Sequence, residues 1–223
     1  MDKELIRQAL LKATAGLLGV ALLLFVPAGT LNYPQGWLFI AVLFIPMIIL
    51  GVILLKKDPE LLKKRLNDKE EESEQKAVVI LSGLLFLAAF VVAGLNYRFQ
   101  WKLLPFSVSI LAAVVFLIGY GLYGECMREN SYLSRTVEVQ ENQKVIDTGL
   151  YGLVRHPMYM STLLMFLSIP LILGSLLSFV IMSGYIPVIS LRIANEEKVL
   201  EEGLEGYREY KKKVRYKVIP HIW

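Results

Sequence analysis

The chain has 223 residues, 55% hydrophobic and 20% charged, with a mean hydropathy of +0.52 and a formal net charge of +4. That apolar share exceeds the ~45–50% of soluble domains, and the charges are gathered into blocks, so a soluble globular fold is excluded and an integral membrane protein is implied. The lone cysteine, Cys126, excludes an intrachain disulfide and a cysteine-based zinc site, and no metal centre is expected.

In chain order, apolar runs predict membrane helices at about 10–31, 36–55, 77–96 and 103–123, each near the ~20 residues that cross ~30 Å of hydrocarbon. The first run begins near Ala9 at full length with no small-residue cleavage pattern after it, so no cleavable signal peptide is expected. Between the second and third runs, KKDPELLKKRLNDKEEESEQK reads as a solvated, partly helical loop whose charges nearly cancel. A fifth tract, 158–193, is too long for one crossing and fits a hairpin turning between Pro170 and Ser178, where Gly174 and Ser175 interrupt it. The expectation is an all-α bundle of about six membrane passes forming a single domain over 1–223. Of the 24 basic residues, all but Arg98 and Lys102 fall on alternate sides of that bundle, which predicts a multi-pass cell-membrane protein with both termini cytoplasmic. No GxGxxG follows a strand pattern and no GxxxxGK[ST] occurs, excluding Rossmann and P-loop nucleotide sites. No nucleic-acid signature is present, and no obligate protein partner is evident.

Two polar clusters abut the last apolar tract. In GLYGLVRHPMYMSTLL, Pro157 fits the first helical position, where its missing N–H costs nothing, so a helix should begin at His156–Pro157. The N–H groups of Met158, Tyr159 and Met160 would then face an anion favoured by the helix dipole, with Arg155 and His156 just before them. The alternative is an interfacial Arg-His-Tyr belt. In SLRIANEEKVL, Arg192 and Glu196 share a helix face, either as a site at membrane depth or as a plain ion pair. Between the clusters, Val145-Ile146 and Gly149-Leu-Tyr151 read as an extended connection and a turn. The basic, aromatic tail EGYREYKKKVRYKVIPHIW either lies on headgroups or packs over the site as a lid.

Taken together, Gln140, Val145-Ile146, Gly149-x-Tyr151, Arg155-His156-Pro157-x-Tyr159, Arg192-Ile193-x-x-Glu196-Glu197-x-x-Leu200, Tyr207-x-x-Tyr210 and Val218-Ile219-Pro220 resemble the isoprenylcysteine carboxyl methyltransferase family, which is related to the membrane phospholipid methyltransferases. The likeness covers about 136–220, and DPELLKKRL resembles the early loop of bacterial members. It implies an S-adenosyl-L-methionine-dependent methyltransferase whose cytosolic-face pocket is formed by the C-terminal helices, connecting loop and tail, with 1–100 supplying membrane helices and 101–223 the catalytic core. Carried across, Gln140, Lys144, Val145, Ile146, Tyr151, His156, Pro157, Met158, Tyr159 and Glu196 become cofactor contacts. Arg155 and Arg192 become the catalytic, substrate-facing pair, with Glu196 beside them. Leu204-Glu205 stand where the family often has Phe-Gly, one residue is missing before Tyr207, and Met160-Ser161 replace a small residue.

The implied reaction is O-methylation of a lipophilic carboxylate acceptor, with membrane lipids as the surrounding partners. The rival readings are a phospholipid-type N-methyltransferase, an NADPH-dependent membrane reductase, and a scaffold without enzymatic activity.

Overall fold

The computed structural model describes residues 3–66, 73–133 and 139–223, excluding the side chains of 73–75. Lys69 and Arg135, two of the basic residues placed above, and 136–138 of the motif-bearing stretch lie outside that description. The elements are α1 (Lys3–Ala28), α2 (Pro34–Lys57), the short α3 (Pro59–Leu66), α4 (Ser73–Phe99) and α5 (Phe106–Glu129). A 3-10 turn at Gly149–Gly152 follows, then α6 (Pro157–Ile172), α7 (Leu176–Ser183), α8 (Tyr185–Gly203) and α9 (Tyr207–Lys213). Among the described residues there is no strand, only a bridge between Leu103 and Ser175.

Prolines set several of the starts. Pro34 opens α2 and Pro157 opens α6, with His156 as its N-cap, where the sequence places that start. The Asp58 carboxylate accepts from the Leu61 N–H at 3.0 Å, ending one helix and capping the next. The hairpin turns where Gly174 adopts φ +74, a left-handed conformation that glycine adopts without steric cost. Ser175 then caps α7 by accepting from the Ser178 N–H at 3.2 Å.

Among the described residues, five helical stretches are long and apolar enough to cross a membrane: α1, α2, α4, α5 and the joined α7–α8. The chain is a membrane protein. The remaining leg, α6, has 16 residues and spans only ~24 Å at ~1.5 Å per residue, short of a full crossing, so five of the expected six passes meet the length. It still runs between the two ends of the bundle. At one end, Tyr33 donates to the Leu173 carbonyl at 2.7 Å and Tyr97 to that of Asn32 at 2.6 Å. At the other, Lys12 donates to the Leu66 carbonyl and Lys64 to Gln140 Oε1, each at 2.7 Å, while the Arg155 N–H donates to Tyr216 O at 2.9 Å. The second end gathers the basic segments of the sequence.

The core is built where these helices meet. Leu24, Phe39, Phe116 and Ile172 join α1, α2, α5 and α6 in one fully buried cluster. Tyr159, Leu163, Met182, Ile189 and Ile193 form a second, closed by Val218 from the tail. Ile48, Leu84, Leu111 and Val180 remain exposed on the outer faces, as a lipid-facing surface requires because lipid is as apolar as the side chains it meets.

Candidate functional site

A cleft whose mouth is open to solvent lies at the basic end. Its walls come from the start of α6, the far part of α8, the 3-10 turn, and the chain on either side of it. The structure brings Lys144, Val145, Ile146, Tyr151, Arg155 and His156 to this one cleft, together with Pro157, Met158, Tyr159, Arg192 and Glu196. Gln140 stands apart: its carboxamide donates to the Tyr132 carbonyl and accepts from Lys64, so it ties the connecting loop to α3 instead of lining the cleft.

Local chemistry explains how each wall is held. Gly149 adopts φ +52, and a Cβ there would fall 1.5 Å from Glu129 Oε1. That carboxylate accepts from the Leu150 N–H at 2.9 Å, pinning the 3-10 turn to the end of α5 and setting Tyr151 into the wall. Val145 packs with Leu204, Tyr207 and Tyr210, and Tyr210 donates to the Tyr151 carbonyl at 2.7 Å.

One expectation is corrected at the α6 terminus. The N–H groups of Tyr159 and Met160 both donate to the His156 carbonyl, at 3.0 and 3.2 Å. The N-cap residue supplies its carbonyl to the first turn, so the helix start presents one N–H, that of Met158, and not three. Side chains do more of the work there than the backbone.

Two polar networks meet at this point. In the first, Glu197 is 4% exposed, and its Oε1 accepts from Arg155 Nε at 2.8 Å and faces His156 Nε2 at 3.2 Å. Its Oε2 lies 3.2 Å from Lys211 Nζ and 3.7 Å from Lys217 Nζ. Arg155 Nη1 also donates to the Val214 and Arg215 carbonyls at 2.8 and 2.7 Å, and the His156 N–H donates to Lys217 O at 2.8 Å. The tail is therefore clasped over the site, with Val214 and Val218 buried; of its two readings, lying on headgroups gives way to packing as a cover. In the second network, the buried Tyr159 hydroxyl donates to Glu196 Oε2 and accepts from Arg192 Nε at 3.1 Å. Tyr159 thus bridges the two residues that the sequence put on one helix face. His156 Nδ1 lies 3.9 Å from Glu196 Oε1, so the imidazole sits between the networks.

The Tyr207 hydroxyl is buried with no hydrogen-bond partner among the described residues, the buried Tyr151 hydroxyl meets the side chain of Asn130, and both rings line the cleft. Burial holds both phenols well above the ordinary tyrosine range, with the amide of Asn130 opposing this only in part at Tyr151. They are neutral at physiological pH, available to donate and accept but not to act as bases. Buried polar atoms are normally paired, so the Tyr207 hydroxyl keeps unused hydrogen-bonding capacity in the cleft wall.

Residues 107–205 match the phospholipid methyltransferase family. That stretch runs from the start of α5 past the end of α8 and carries most of the cleft. The chain is also 25% identical over 134 residues, 54% of its length, to the Delta(14)-sterol reductase TM7SF2 of Mus musculus. It spans about a third of that protein's length, the aligned part being 32% of it.

Sequence reasoning named Glu197 only as a motif letter and missed its role. The signal was there: Tyr185, Ile189 and Ile193 are buried at four-residue spacing on α8, and Glu197 is the next position on that stripe. Asn130 and Tyr132, also in the cleft wall, carry no comparable signal, because only the fold brings the end of α5 beside α8.

Proposed function

We propose that the chain transfers a methyl group from S-adenosyl-L-methionine to a lipophilic acceptor at the membrane–cytosol interface, with a carboxylate as the methylated group. The observation that carries this reading is a cleft with the partnerless Tyr207 phenol and an Arg192–Tyr159–Glu196 relay, lying largely within the stretch that matches the phospholipid methyltransferases. When bound, the cofactor supplies a methyl group on a cationic sulfur. Glu196 would accept from its ammonium or ribose hydroxyls, the Tyr151 and Tyr207 hydroxyls would meet further polar atoms, and the tyrosine faces would suit a sulfonium cation. Lys144 stands at the mouth, while Val145, Ile146 and Met158 supply apolar wall.

Arg192 presents a planar fork that fits an acceptor carboxylate. Transfer would form the acceptor O–CH3 bond while the S–CH3 bond broke with its electron pair left on sulfur, so these residues would need to move no proton. The task is positioning and exclusion of water, consistent with neutral phenols. Arg155, expected beside Arg192 as an acceptor-holding group, is engaged by Glu197 and the tail carbonyls, so in this reading it is a positioning residue. Gln140 likewise positions the loop. The basic end faces the cytoplasm, where cofactor is available, in keeping with the distribution of lysine and arginine.

The family match favours a second reading, N-methylation of a phospholipid headgroup. An amine acceptor must lose a proton, and Glu196, partly exposed in the cleft, is the carboxylate placed to take it. Ligand-induced stabilisation tests the class: S-adenosylhomocysteine at about 100 times its Kd should add ~2.7 kcal/mol and raise Tm, while NADPH should not. A response to NADPH alone favours the reductase, and a response to neither leaves a scaffold. Isotope-labelled cofactor with mass spectrometry of the products separates methyl ester from methylamine.

A further inference from the structure

Among the described residues, the connection from Asn130 to Thr148 carries no helix or strand. Yet Asn130 and Tyr132 line the cleft from one end of it, and Gln143 to Ile146 from the other. A wall without regular structure takes its order from tertiary contacts. One set of these is apolar: Val139 and Val145 pack with Leu204, Tyr207 and Tyr210. The other set is polar and comes from α3.

The half-buried ammonium of Lys64 on α3 donates to Gln140 Oε1 at 2.7 Å and to the Ser131 carbonyl at 3.4 Å, so it touches both ends of the wall. An ammonium only donates, which turns the Gln140 carboxamide oxygen toward α3. The amide nitrogen is then left to donate to the Tyr132 carbonyl, and the Gln140 N–H donates to Gln143 Oε1 at 2.8 Å. One lysine thus orients the side chain that ties the two ends together. The next residue, Arg65, donates to the Tyr123 hydroxyl, and its Nη1 lies 4.0 Å from Met158 Sδ, so α3 also backs the α6 wall. This helix lies outside residues 107–205, the stretch that matches the phospholipid methyltransferases, and its hydropathy marks it only as part of a solvated loop.

We propose that Lys64 is a positioning residue for the cleft, acting through Gln140 to hold residues 130–133 and 139–146 in a ligand-ready arrangement. Only the identity of the ligand rests on the methyl-transfer reading; the order of the wall does not. Without the clip the wall spreads over several arrangements, and apparent affinity falls by the fraction that remains competent.

Hydrogen exchange and calorimetry on the purified chain in detergent test it. Lys64→Met keeps the side-chain length and removes the donor. It should speed amide exchange in 139–146 and weaken S-adenosylhomocysteine binding about tenfold, the effect of losing one charge-assisted hydrogen bond. Gln140→Leu should do at least as much, and the double variant should match Gln140→Leu, because Lys64 acts through that side chain. Lys64→Arg retains a donor and should recover most of the affinity. Lys63→Met, at the exposed lysine next to it, should change neither readout.

A fall in Tm with affinity and exchange unchanged makes Lys64 a plain fastening and overturns the proposal, as does an additive loss in the double variant. If Lys64→Met does not fold, Gln140→Leu probes the same bond from the wall, and unchanged affinity there overturns it too. Wild type that binds no S-adenosylhomocysteine, with exchange still quickened by Lys64→Met, sinks the methyl-transfer reading and leaves the clip assigned. Intact wild-type binding with Lys64→Met indifferent in both readouts sinks the clip alone.

Discussion

Glu196 and Glu197 stand side by side on α8, yet the networks they anchor differ in burial and in how fully their polar atoms are used. Glu197 is enclosed, with both oxygens facing basic groups from the α6 approach, α9 and the tail. Glu196 accepts from Tyr159 and keeps part of its carboxylate in the cleft. The contrast teaches how to tell a fastening from a working site when both are made of Arg, His and Glu. A fastening consumes its partners and excludes water; a site leaves valence facing a cavity.

The sharpest way to break that distinction is to remove the fastening. Glu197→Ala leaves Arg155 buried without its counter-charge, a change that typically costs ~3–5 kcal/mol. Thermal unfolding in detergent should fall sharply or the folded yield collapse. A normal Tm with lost cofactor binding would make Glu197 part of the site instead.

Next in size is the relay. Arg192→Lys keeps the charge but loses the bidentate fork, and losing one strong transition-state contact typically lowers rate by ~10²–10³. Turnover should drop by that order while S-adenosylhomocysteine affinity stays near wild type, and Glu196→Gln should weaken cofactor affinity instead. Equal Tm losses in both variants, with turnover intact, would reduce the relay to another fastening.

The smallest effect belongs to the exposed pair of Lys213 and Asp147, 2.7 Å apart. The hydrogen bond and charge of Lys213 hold Asp147 below the ordinary carboxylate range. A carboxylate depressed in the folded state contributes above its unfolded pKa, and that contribution is lost as pH falls through the folded value. Lys213→Ala should therefore lower Tm only slightly at neutral pH, and the difference should vanish in acid. A gap that widens on acidification would reverse the sign and the argument.

How much of this was legible beforehand follows the same line. The long apolar runs, the α6 start at Pro157 and the turn at Gly174 are local consequences of hydropathy, proline and glycine chemistry, and they stand where the sequence places them. The convergence of Lys144, Tyr151, Tyr159, Arg192 and Glu196 on one cleft followed from a resemblance in ordered motifs. Composition alone left each segment open between site and interfacial belt. What escaped was non-local. That Arg155 is drawn toward Glu197 and the carbonyls of 214–215 depends on a tail some 60 residues away, and nothing in RHPMY announces it.

The clasp between residues 155–156 and 214–217 also imposes an order of events during biosynthesis. Helices α5 to α8 leave the ribosome before the segment that completes the cleft, and contacts separated by 59 and 60 residues close later than local ones because their loop entropy must first be overcome. Insertion into the bilayer thus precedes closure of the clasp. A nascent chain arrested ahead of Val214 would sit in the membrane with Arg155 and Glu197 still lacking the tail groups that cover them.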